Sequence, residues 1–298
     1  MKNLSQTILL TAAVAALPNL LVAQPGAHYV PGVEGIKGAS LPPPGIYVRD
    51  YNVVYFADRL NDGDGDEIKA ADAEAFIYAN VPRVIWITDQ KVLGGFLGVD
   101  ALVPLQYTDL SINTPGGRFS DSTFGIGDVF AEVTLSWHPD GADFAIGYGA
   151  WAPTGDSSAA DPTKPGLGFW THMFTAGITW YMDADKKWAL SALNRYEINH
   201  EDDDDNSTPG QVYTLEWGLS YALSKTVDIG LAGYYQQQVT DDDPAAGSTK
   251  DKVVAVGPEI VMFCPKLGLF TSLRYNYEVL AEDRLQGHTI ALTFTRRF

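Results

Sequence analysis

The chain has 298 residues, with 20 lysines and arginines against 37 aspartates and glutamates and a formal net charge of −17. This charge argues against binding to the phosphate backbone of nucleic acid, which needs clustered basic side chains. The single cysteine excludes an intramolecular disulfide framework, and a hydrophobic content of 46% excludes a disordered chain. Because only 19% of the residues are charged, either the charge is concentrated in patches or much of the surface does not face water.

Residues 1–23 have the organisation of a secretory signal peptide. Lys2 precedes an apolar stretch, Ile8–Leu17, and a cleavage site lies before Gln24, with a cut after Ala16 as the alternative. A membrane-anchoring helix is less favoured because the apolar run is too short to cross ~30 Å of hydrocarbon. After Gln24 no apolar stretch approaches the ~20 residues that a membrane helix needs. We therefore predict an exported protein without a helical membrane span.

Period-two alternation of hydrophobic and polar residues dominates the remaining chain. In Asp128–Trp137 the odd positions are hydrophobic and the even positions are polar except for Phe130, and 211–222, 227–239 and 287–298 alternate in the same way. This period predicts β-strands with one apolar and one polar face. About twelve such strands are predicted, near 45–58, 71–87, 92–108, 124–137, 142–153, 168–182, 188–199, 211–222, 226–239, 252–263, 267–280 and 287–298. Pro82 interrupts the second strand and predicts a bulge there.

The connections between these strands alternate between long and short. The long ones are 59–70, 109–123, 154–167, 200–210, 240–251 and 281–286, and the short ones are 88–91, 138–141, 183–187, 223–225 and 264–266. The long set carries 19 acidic and 6 basic residues, whereas the short set carries 4 acidic and 5 basic residues. Since strands that run up and down place all long loops at one end, the sequence predicts one acidic end and one compact, nearly neutral end.

An all-β transmembrane antiparallel up-and-down barrel accounts for this pattern. Backbone groups in hydrocarbon must be paired, so a sheet that crosses a membrane closes on itself, with apolar residues toward lipid and polar residues toward the lumen. Its tight turns are periplasmic and its long loops extracellular. Trp86, Trp137, Trp180 and Trp188 lie beside short turns, where a membrane interface would hold them. A secreted lipocalin-like barrel or sandwich is the alternative.

The terminal parts of the mature chain have separate interpretations. Residues 24–44 are rich in proline and glycine, with Pro42-Pro43-Pro44 at their end, and do not suit a central strand. They form either a plug in the lumen or a periplasmic tail, ahead of a barrel over 45–298. Phe298 ends an alternating strand, as in the C-terminal signal that the barrel-assembly machinery reads, although Arg296 stands where that signal has an apolar residue.

Charged and amide side chains on the polar faces of the strands are the candidates for lining the lumen. They are Asp128, Glu132, Arg195, Glu197, Glu216, Asp228, Gln236, Gln238, Glu259, Arg274, Asn276 and Glu278. Such an excess of carboxylates in a confined channel would favour cations or polar cargo and repel anions. Alternatively, the two arginines pair with neighbouring carboxylates and obstruct a lumen that side chains can fill. The sequence leaves open a water-filled pore and an obstructed or gated one.

Asp62, Asp64 and Asp66 alternate as the start of a calcium-binding loop does, but the glycine and glutamate spacing of that motif is missing. A solvated outer surface that meets divalent cations among lipopolysaccharide head groups is the favoured interpretation. We expect no protein-bound metal and no cofactor.

A barrel hydrolase is the competing functional class, and it needs a base within hydrogen-bonding reach of a nucleophile. The five histidines fall on different segments, and none lies two residues before a serine. Cys264 precedes Pro265 in a predicted turn without an activating base nearby in the sequence. We therefore expect no enzyme activity.

The mature chain resembles a known family along nearly its whole length. The matching segments are Pro31-Gly32-Val33-Glu34-Gly35, Leu41–Tyr47, Asp50-Tyr51-Asn52, Pro82–Thr88, Ala152–Asp156, Tyr196–Asn199 and Val256-Gly257-Pro258. They resemble the MetA-pathway of phenol degradation family, including its SphA-like members, and are distantly FadL-like. The resemblance implies an outer-membrane channel or transporter of a Gram-negative bacterium, for uptake of small hydrophobic or aromatic compounds. A non-conducting structural or binding barrel is the alternative.

Overall fold

The computed structural model describes residues 26–158, 161–202, 205–245 and 250–298. The predicted signal peptide lies outside the described residues. The described part of the chain consists of strands and connections, and it contains no helix long and apolar enough to cross a membrane. The strands are β1 (Gly45–Leu60), β2 (Asp72–Val92), β3 (Gly95–Leu102), β4 (Leu105–Thr114), β5 (Gly117–Ile126), β6 (Val129–Trp137), β7 (Ala142–Ala152), β8 (Thr171–Tyr181), β9 (Trp188–Asn199), β10 (Val212–Ser224), β11 (Val227–Gln238), β12 (Lys252–Cys264), β13 (Leu269–Glu282) and β14 (Leu285–Arg297).

The strands form one closed antiparallel barrel. The first strand closes it, because Tyr51 of β1 lies opposite Thr293 of β14 on one side and opposite Val81 of β2 on the other. Each of the remaining neighbours is also an antiparallel pair. Closure satisfies the strand edges that an open sheet would leave unpaired.

The fourteen strands correspond to twelve crossings of the barrel wall, because two of the crossings are each divided into two strands. Both β3 and β4 pair with β2, while β5 pairs with β4 and β6 pairs with β3. The pair β3–β4 is therefore one long strand interrupted at Val103-Pro104, and β5–β6 is a second one interrupted at Gly127-Asp128. This arrangement confirms the predicted antiparallel barrel of about twelve strands.

Three details of the sequence prediction are wrong. The predicted loop 109–123 is the β4–β5 hairpin, which extends the sheet at the loop end beside β2 and has its tip at 115–116. The predicted long connection 281–286 is a tight turn at Asp283-Arg284. At Pro82, β2 pairs with β1 in unbroken register, and the interruption lies instead in the neighbouring strand at Val103-Pro104. A proline has no N–H to donate to the sheet, and Pro82 is tolerated here because the neighbouring strand is interrupted opposite it.

We call the end of the barrel with the connections 61–71, 153–170, 200–211 and 239–251 the loop end, and the opposite end the turn end. The β2–β3 turn shows why the turn end is compact. Leu93 and Gly94 both have positive φ, 51° and 80°, which is the geometry of a two-residue hairpin turn matched to the twist of the strands.

The outer surface of the barrel is apolar over most of its height. Val84, Val133 and Leu231 face outward with 53%, 50% and 49% of their surface exposed. Tryptophans near the turn end, including Trp86 and Trp180, also face outward. Such a band suits contact with lipid.

Near the loop end the polarity of β1, β2 and β4 reverses. Ala57, Ala73, Leu110 and other small or aliphatic residues of β1, β2 and β4 form a buried cluster on the inner face. Their outward neighbours Glu74 and Asp109 are exposed. On these three strands the inner face near the loop end is therefore apolar, whereas the inner face nearer the turn end includes polar and charged side chains.

Candidate functional site

Residues 26–44 run through the inside of the barrel from the loop end to the turn end. At the loop end, Asn199 Nδ2 donates to the Gly26 carbonyl over 2.7 Å. At the turn end, Ser40 Oγ donates to Asp143 Oδ2 over 2.6 Å, and the chain then enters β1 at Gly45. We refer to residues 26–44 as the inner segment.

His28 anchors the upper part of the inner segment. Its Nε2 lies 3.0 Å from Asp128 Oδ2, and its Nδ1 lies 2.8 Å from Thr171 Oγ1. The arrangement of aspartate, histidine and threonine resembles a catalytic triad in composition, but the Thr171 hydroxyl donates to Asn199 Oδ1 over 2.7 Å. Since a nucleophilic hydroxyl must give its proton to the histidine, this geometry is that of an anchor.

Asp128 also ties the loop 153–170 to the inner segment. Its carboxylate accepts hydrogen bonds from the Gly155 and Leu167 amides over 2.9 and 2.8 Å. Burial alone would raise the pKa of the Asp128 carboxyl, but the hydrogen bonds from His28 and from the Leu167 and Gly155 amides lower it below its ordinary value. The ionised carboxylate thus joins the loop, the wall and the inner segment.

Tyr29 is the next anchor toward the turn end. Its hydroxyl donates to Glu216 Oε2 over 2.5 Å, and its amide donates to Glu197 Oε1 over 3.0 Å. Gln236 Nε2 donates to the Tyr29 carbonyl over 2.9 Å. The Arg195 guanidinium stacks on the tyrosine ring at 3.9 Å and pairs with Glu216 over 2.7 Å. The inner segment thereby supplies hydrogen-bond partners to buried carboxylates and an amide of the wall.

A groove free of side chains receives Ile36. A Cβ atom at Gly218 would lie 2.7 Å from Ile36 Cα, and one at Gly230 would lie 2.8 Å from Ile36 Cγ2. The Ile36 amide donates to Glu259 Oε2 over 2.7 Å. A Cβ at Gly35 would overlap the same carboxylate. Glycine at these positions lets two backbones approach closely.

Arg274 completes this lower contact. Its guanidinium lies 3.4 Å from Glu259 Oε2 and donates to the Val33 carbonyl over 2.9 Å. Both charged side chains are almost fully buried. The pair therefore holds the inner segment to β12 and β13.

Glu34 reaches across the lumen to the opposite wall. Its carboxylate accepts from Arg49 Nη1 over 2.9 Å and from the Tyr51 hydroxyl over 2.7 Å, both on β1. Arg83 Nη1 of β2 lies 3.4 Å away. A single carboxylate of the inner segment thus bridges to two guanidinium groups.

Arg83 continues this network into the wall. It makes a bidentate pair with Asp100 of β3, over 2.8 and 2.9 Å, and lies 3.4 Å from Glu132 of β6. Bidentate geometry is the stronger form of the arginine–carboxylate pair. Arg83 therefore keeps charged partners that do not depend on the inner segment.

A cavity of about 310 Å³ lies above this network, between the inner segment and the wall formed by β1, β2, β4 and β6. Its lining is mainly apolar and includes Val53, Ala79, Val81, Leu102, Phe130 and Trp151. Pro165 and Leu167 of the loop 153–170 line its upper part, and Glu34 and Arg83 its charged floor. Its shape and lining are those of a site for a small apolar molecule.

The side chains predicted to line the lumen point inward. Those that are buried are Asp128, Glu132, Arg195, Glu197, Glu216, Gln236, Gln238, Glu259, Arg274, Asn276 and Glu278. Arg195, Glu197, Glu216 and Gln236 surround Tyr29. Glu259 binds the Ile36 amide, and Arg274 binds the Val33 carbonyl. Glu278 instead accepts from the Tyr234 and Tyr55 hydroxyls, both over 3.0 Å.

Asp228 lies apart from that group, near the turn end, where it pairs with Lys37 over 2.8 Å. Asp62, the first member of the weak calcium candidate, accepts from the backbone amides of Asp64 and Asp66. Among the described residues, no group of three or more histidine, cysteine, aspartate or glutamate side chains is arranged to hold a metal ion.

Sequence reasoning missed the charged floor of the cavity. Arg49, Arg83 and Asp100 are partly or fully buried and face inward, but they were not among the predicted lining residues. Their positions share the inward parity of β1, β2 and β3, which is the signal that identifies them. Glu34 gave no such signal, because the inner segment has no periodic pattern.

Comparison with known proteins places the chain in a family. A family model described as putative MetA-pathway of phenol degradation matches residues 57–294, most of the chain. The chain belongs to that family. A search of curated protein sequences gave no match.

Two solved structures show the same architecture as this family member. An outer membrane channel from Pseudomonas putida F1 is 14% identical, with a TM-score of 0.75 and coverage of 91% of this chain and 100% of that chain. The beta domain of a Bordetella autotransporter is 12% identical, with a TM-score of 0.51 and coverage of 86% and 100%. At these identities the likeness concerns the fold, which is that of a transmembrane β-barrel.

Proposed function

We propose that this protein is an outer-membrane channel that takes up small hydrophobic compounds, including aromatic ones, without covalent chemistry. The observation that carries the proposal is the apolar cavity between the inner segment and the wall of β1, β2, β4 and β6. The apolar inner face of β1, β2 and β4 near the loop end lines that cavity through Leu60, Ala75, Leu110 and Ile112. Membership of a family linked by name to phenol degradation supports the same class of compound.

The size of the cavity suits a compound with one or two rings. An engineered apolar cavity of about 150 Å³ holds benzene, and the cavity here measures about 310 Å³. Apolar side chains make up most of its lining, and the charged side chains at its floor are paired with one another. Burying the polar groups of a sugar or an ion against an apolar wall without partners is costly. Compact apolar solutes are therefore the best fit.

Surface charge supports neutral solutes over anionic ones. The four connections of the loop end carry 15 acidic residues against 3 basic ones, and the protein has a formal charge of −17. A negative mouth lowers the local concentration of anions. We expect a neutral aromatic compound to enter faster than a carboxylate of similar size.

The proposed location is the outer membrane of a Gram-negative cell, with the loop end outside and the turn end in the periplasm. The exposed apolar band would contact lipid, and the acidic connections would meet lipopolysaccharide through divalent cations. Phe298, which is 70% exposed at the turn end, is the proposed contact for the barrel-assembly machinery. The N-terminal 23 residues would direct export.

Uptake measurements test this function. A deletion strain and the same strain carrying the gene are compared for initial uptake of toluene and of benzoate, and the purified protein is examined in a planar bilayer. We expect faster toluene entry with the protein present and little effect on benzoate. Equal toluene uptake by the two strains, together with no conductance, would remove the proposal.

A binding barrel that conducts nothing is the second candidate. The charged floor favours it, because Arg83 and its partners fill the lumen below the cavity. Binding of toluene by the purified protein without any uptake would support this candidate. Hydrolysis of phospholipid or peptide by the same preparation would indicate an enzyme instead.

A further inference from the structure

The inner segment contacts the barrel unevenly. Between residues 28 and 37 its polar partners are mainly on β8 to β13, where Glu216, Glu259 and Asp228 accept hydrogen bonds from it. Among the described residues, the hydrogen bonds that this stretch makes to β1 and β2 all involve the Glu34 carboxylate. The segment is therefore seated on one wall and bridged to the other by one side chain.

The cavity lies on the bridged side, and Glu34 lies at its floor. Movement of the whole segment would pull Ile36 from its glycine groove and leave Glu259 and Glu216 without backbone donors. Release of the Glu34 side chain alone breaks fewer contacts. Arg83 would keep Asp100 and Glu132, and Arg49 would keep the Thr295 hydroxyl at 3.0 Å.

We propose that Glu34 is the gate of the lumen, and that solutes pass when its carboxylate leaves Arg49 and Arg83 while the inner segment stays in place. This inference rests on the proposed channel function. The proposed path of the solute starts in the cavity. It then passes between Glu34 and the wall formed by β1 and β2. It gives Glu34 a function that no other residue of the inner segment shares.

The variant Glu34→Gln tests the gate. Glutamine keeps the shape of the side chain but removes the charge that holds two guanidinium groups. We expect toluene uptake to rise about tenfold, the effect of weakening the closed state by about 1.4 kcal/mol. Lys252→Gln is the matched control, because it also removes one member of an ion pair, with Glu282, but at the rim of the barrel. We expect it to match the wild type.

Folding of each variant is checked from the difference in gel mobility between boiled and unboiled samples. Should Glu34→Gln fail to fold, Glu34→Asp shortens the bridge while keeping the charge, and we expect a smaller rise in uptake. A folded Glu34 variant whose uptake equals or falls below that of the wild type would overturn the proposal.

A disulfide tests whether the inner segment stays in place. A Cβ atom at Gly26 would lie 3.2 Å from Pro209 Cβ, near the 3.5–4.5 Å typical of disulfides. The turn end of the segment is already tethered, since it continues into β1. The variant Gly26→Cys/Pro209→Cys, with the exposed Cys264 replaced by serine, therefore fixes both ends when oxidised.

We expect equal toluene uptake from the oxidised and reduced forms of this variant. Loss of uptake on oxidation, restored by reduction, would show that the segment must leave and would overturn the gate. If the wild type takes up nothing but Glu34→Gln does, the gate is supported as closed at rest. If neither protein takes up toluene, the proposed channel function fails and the gate with it.

Discussion

Ala79 offers a way to halve the cavity without touching its charged floor. It lies on β2, lines the cavity and pairs across the sheet with Val53 and Gln106. Because a benzene-sized ring occupies an apolar cavity of about 150 Å³, the ring added by Ala79→Phe takes about half of the 310 Å³ available. A one-ring solute still fits, whereas a two-ring solute overpacks the site.

Overpacking a filled apolar site costs about 1–3 kcal/mol, which corresponds to about 5- to 150-fold in binding. We expect Ala79→Phe to lower naphthalene uptake by a factor in that range and to change toluene uptake by less than about threefold. Initial uptake of both compounds by the complemented deletion strain is the measurement. Ala131→Phe, on the outward face of β6, adds the same ring outside the cavity and is the control.

The ratio of naphthalene to toluene uptake decides the outcome, because it is independent of expression level. An unchanged ratio in Ala79→Phe would show that the cavity is not on the path of the solute. A ratio that falls equally in Ala131→Phe would show that an added ring changes the ratio without occupying the cavity.

Three further predictions concern the inner segment: two are measured as the temperature at which the folded gel band is lost, and the second of the three by protease cleavage. Asp128→Asn should melt below the wild type at pH 7. Because the pKa of Asp128 is lowered from 3.8, the stabilisation is fully present above that value, and the difference should shrink as the pH falls further, through the lowered pKa. Gly35→Ala should destabilise the inner segment, since the added Cβ would overlap Glu259. A protease should then cut the inner segment of this variant, and a resistant variant would contradict the packing. Arg274→Met should cost about 3–5 kcal/mol by leaving Glu259 buried and unpaired, and a neutral result would show that water reaches the pair.

Local alternation was sufficient to predict the wall of the barrel. The predicted strand 188–199 coincides with β9, and Glu197 and Arg195 were assigned to the inner face from parity alone. Parity works because successive side chains of a strand face opposite sides, so one buried or lipid-facing side fixes the other. It failed at 109–123, where an extension of the sheet outside the apolar band has polar outward residues and a sequence like that of a loop.

The inner segment shows the limit of that reasoning. Its sequence allowed both a plug and a periplasmic tail, because prolines and glycines exclude a central strand without selecting a partner. Its course depends on contacts with residues more than 100 positions away, such as Tyr29 with Glu216 and Ile36 with Glu259. No periodic pattern records such contacts.

The sequence by itself determined a closed barrel with an apolar exterior, twelve crossings and an acidic loop end, because each of these follows from alternation and from the spacing of turns. The tertiary structure decided where the lumen is filled and where it is empty. That division arises from the packing of an irregular segment against one wall, where wall glycines admit Ile36 and buried carboxylates need its backbone donors. The part of the lumen that this packing leaves empty is the cavity. The bridge of Glu34 to Arg49 and Arg83 lies at its floor.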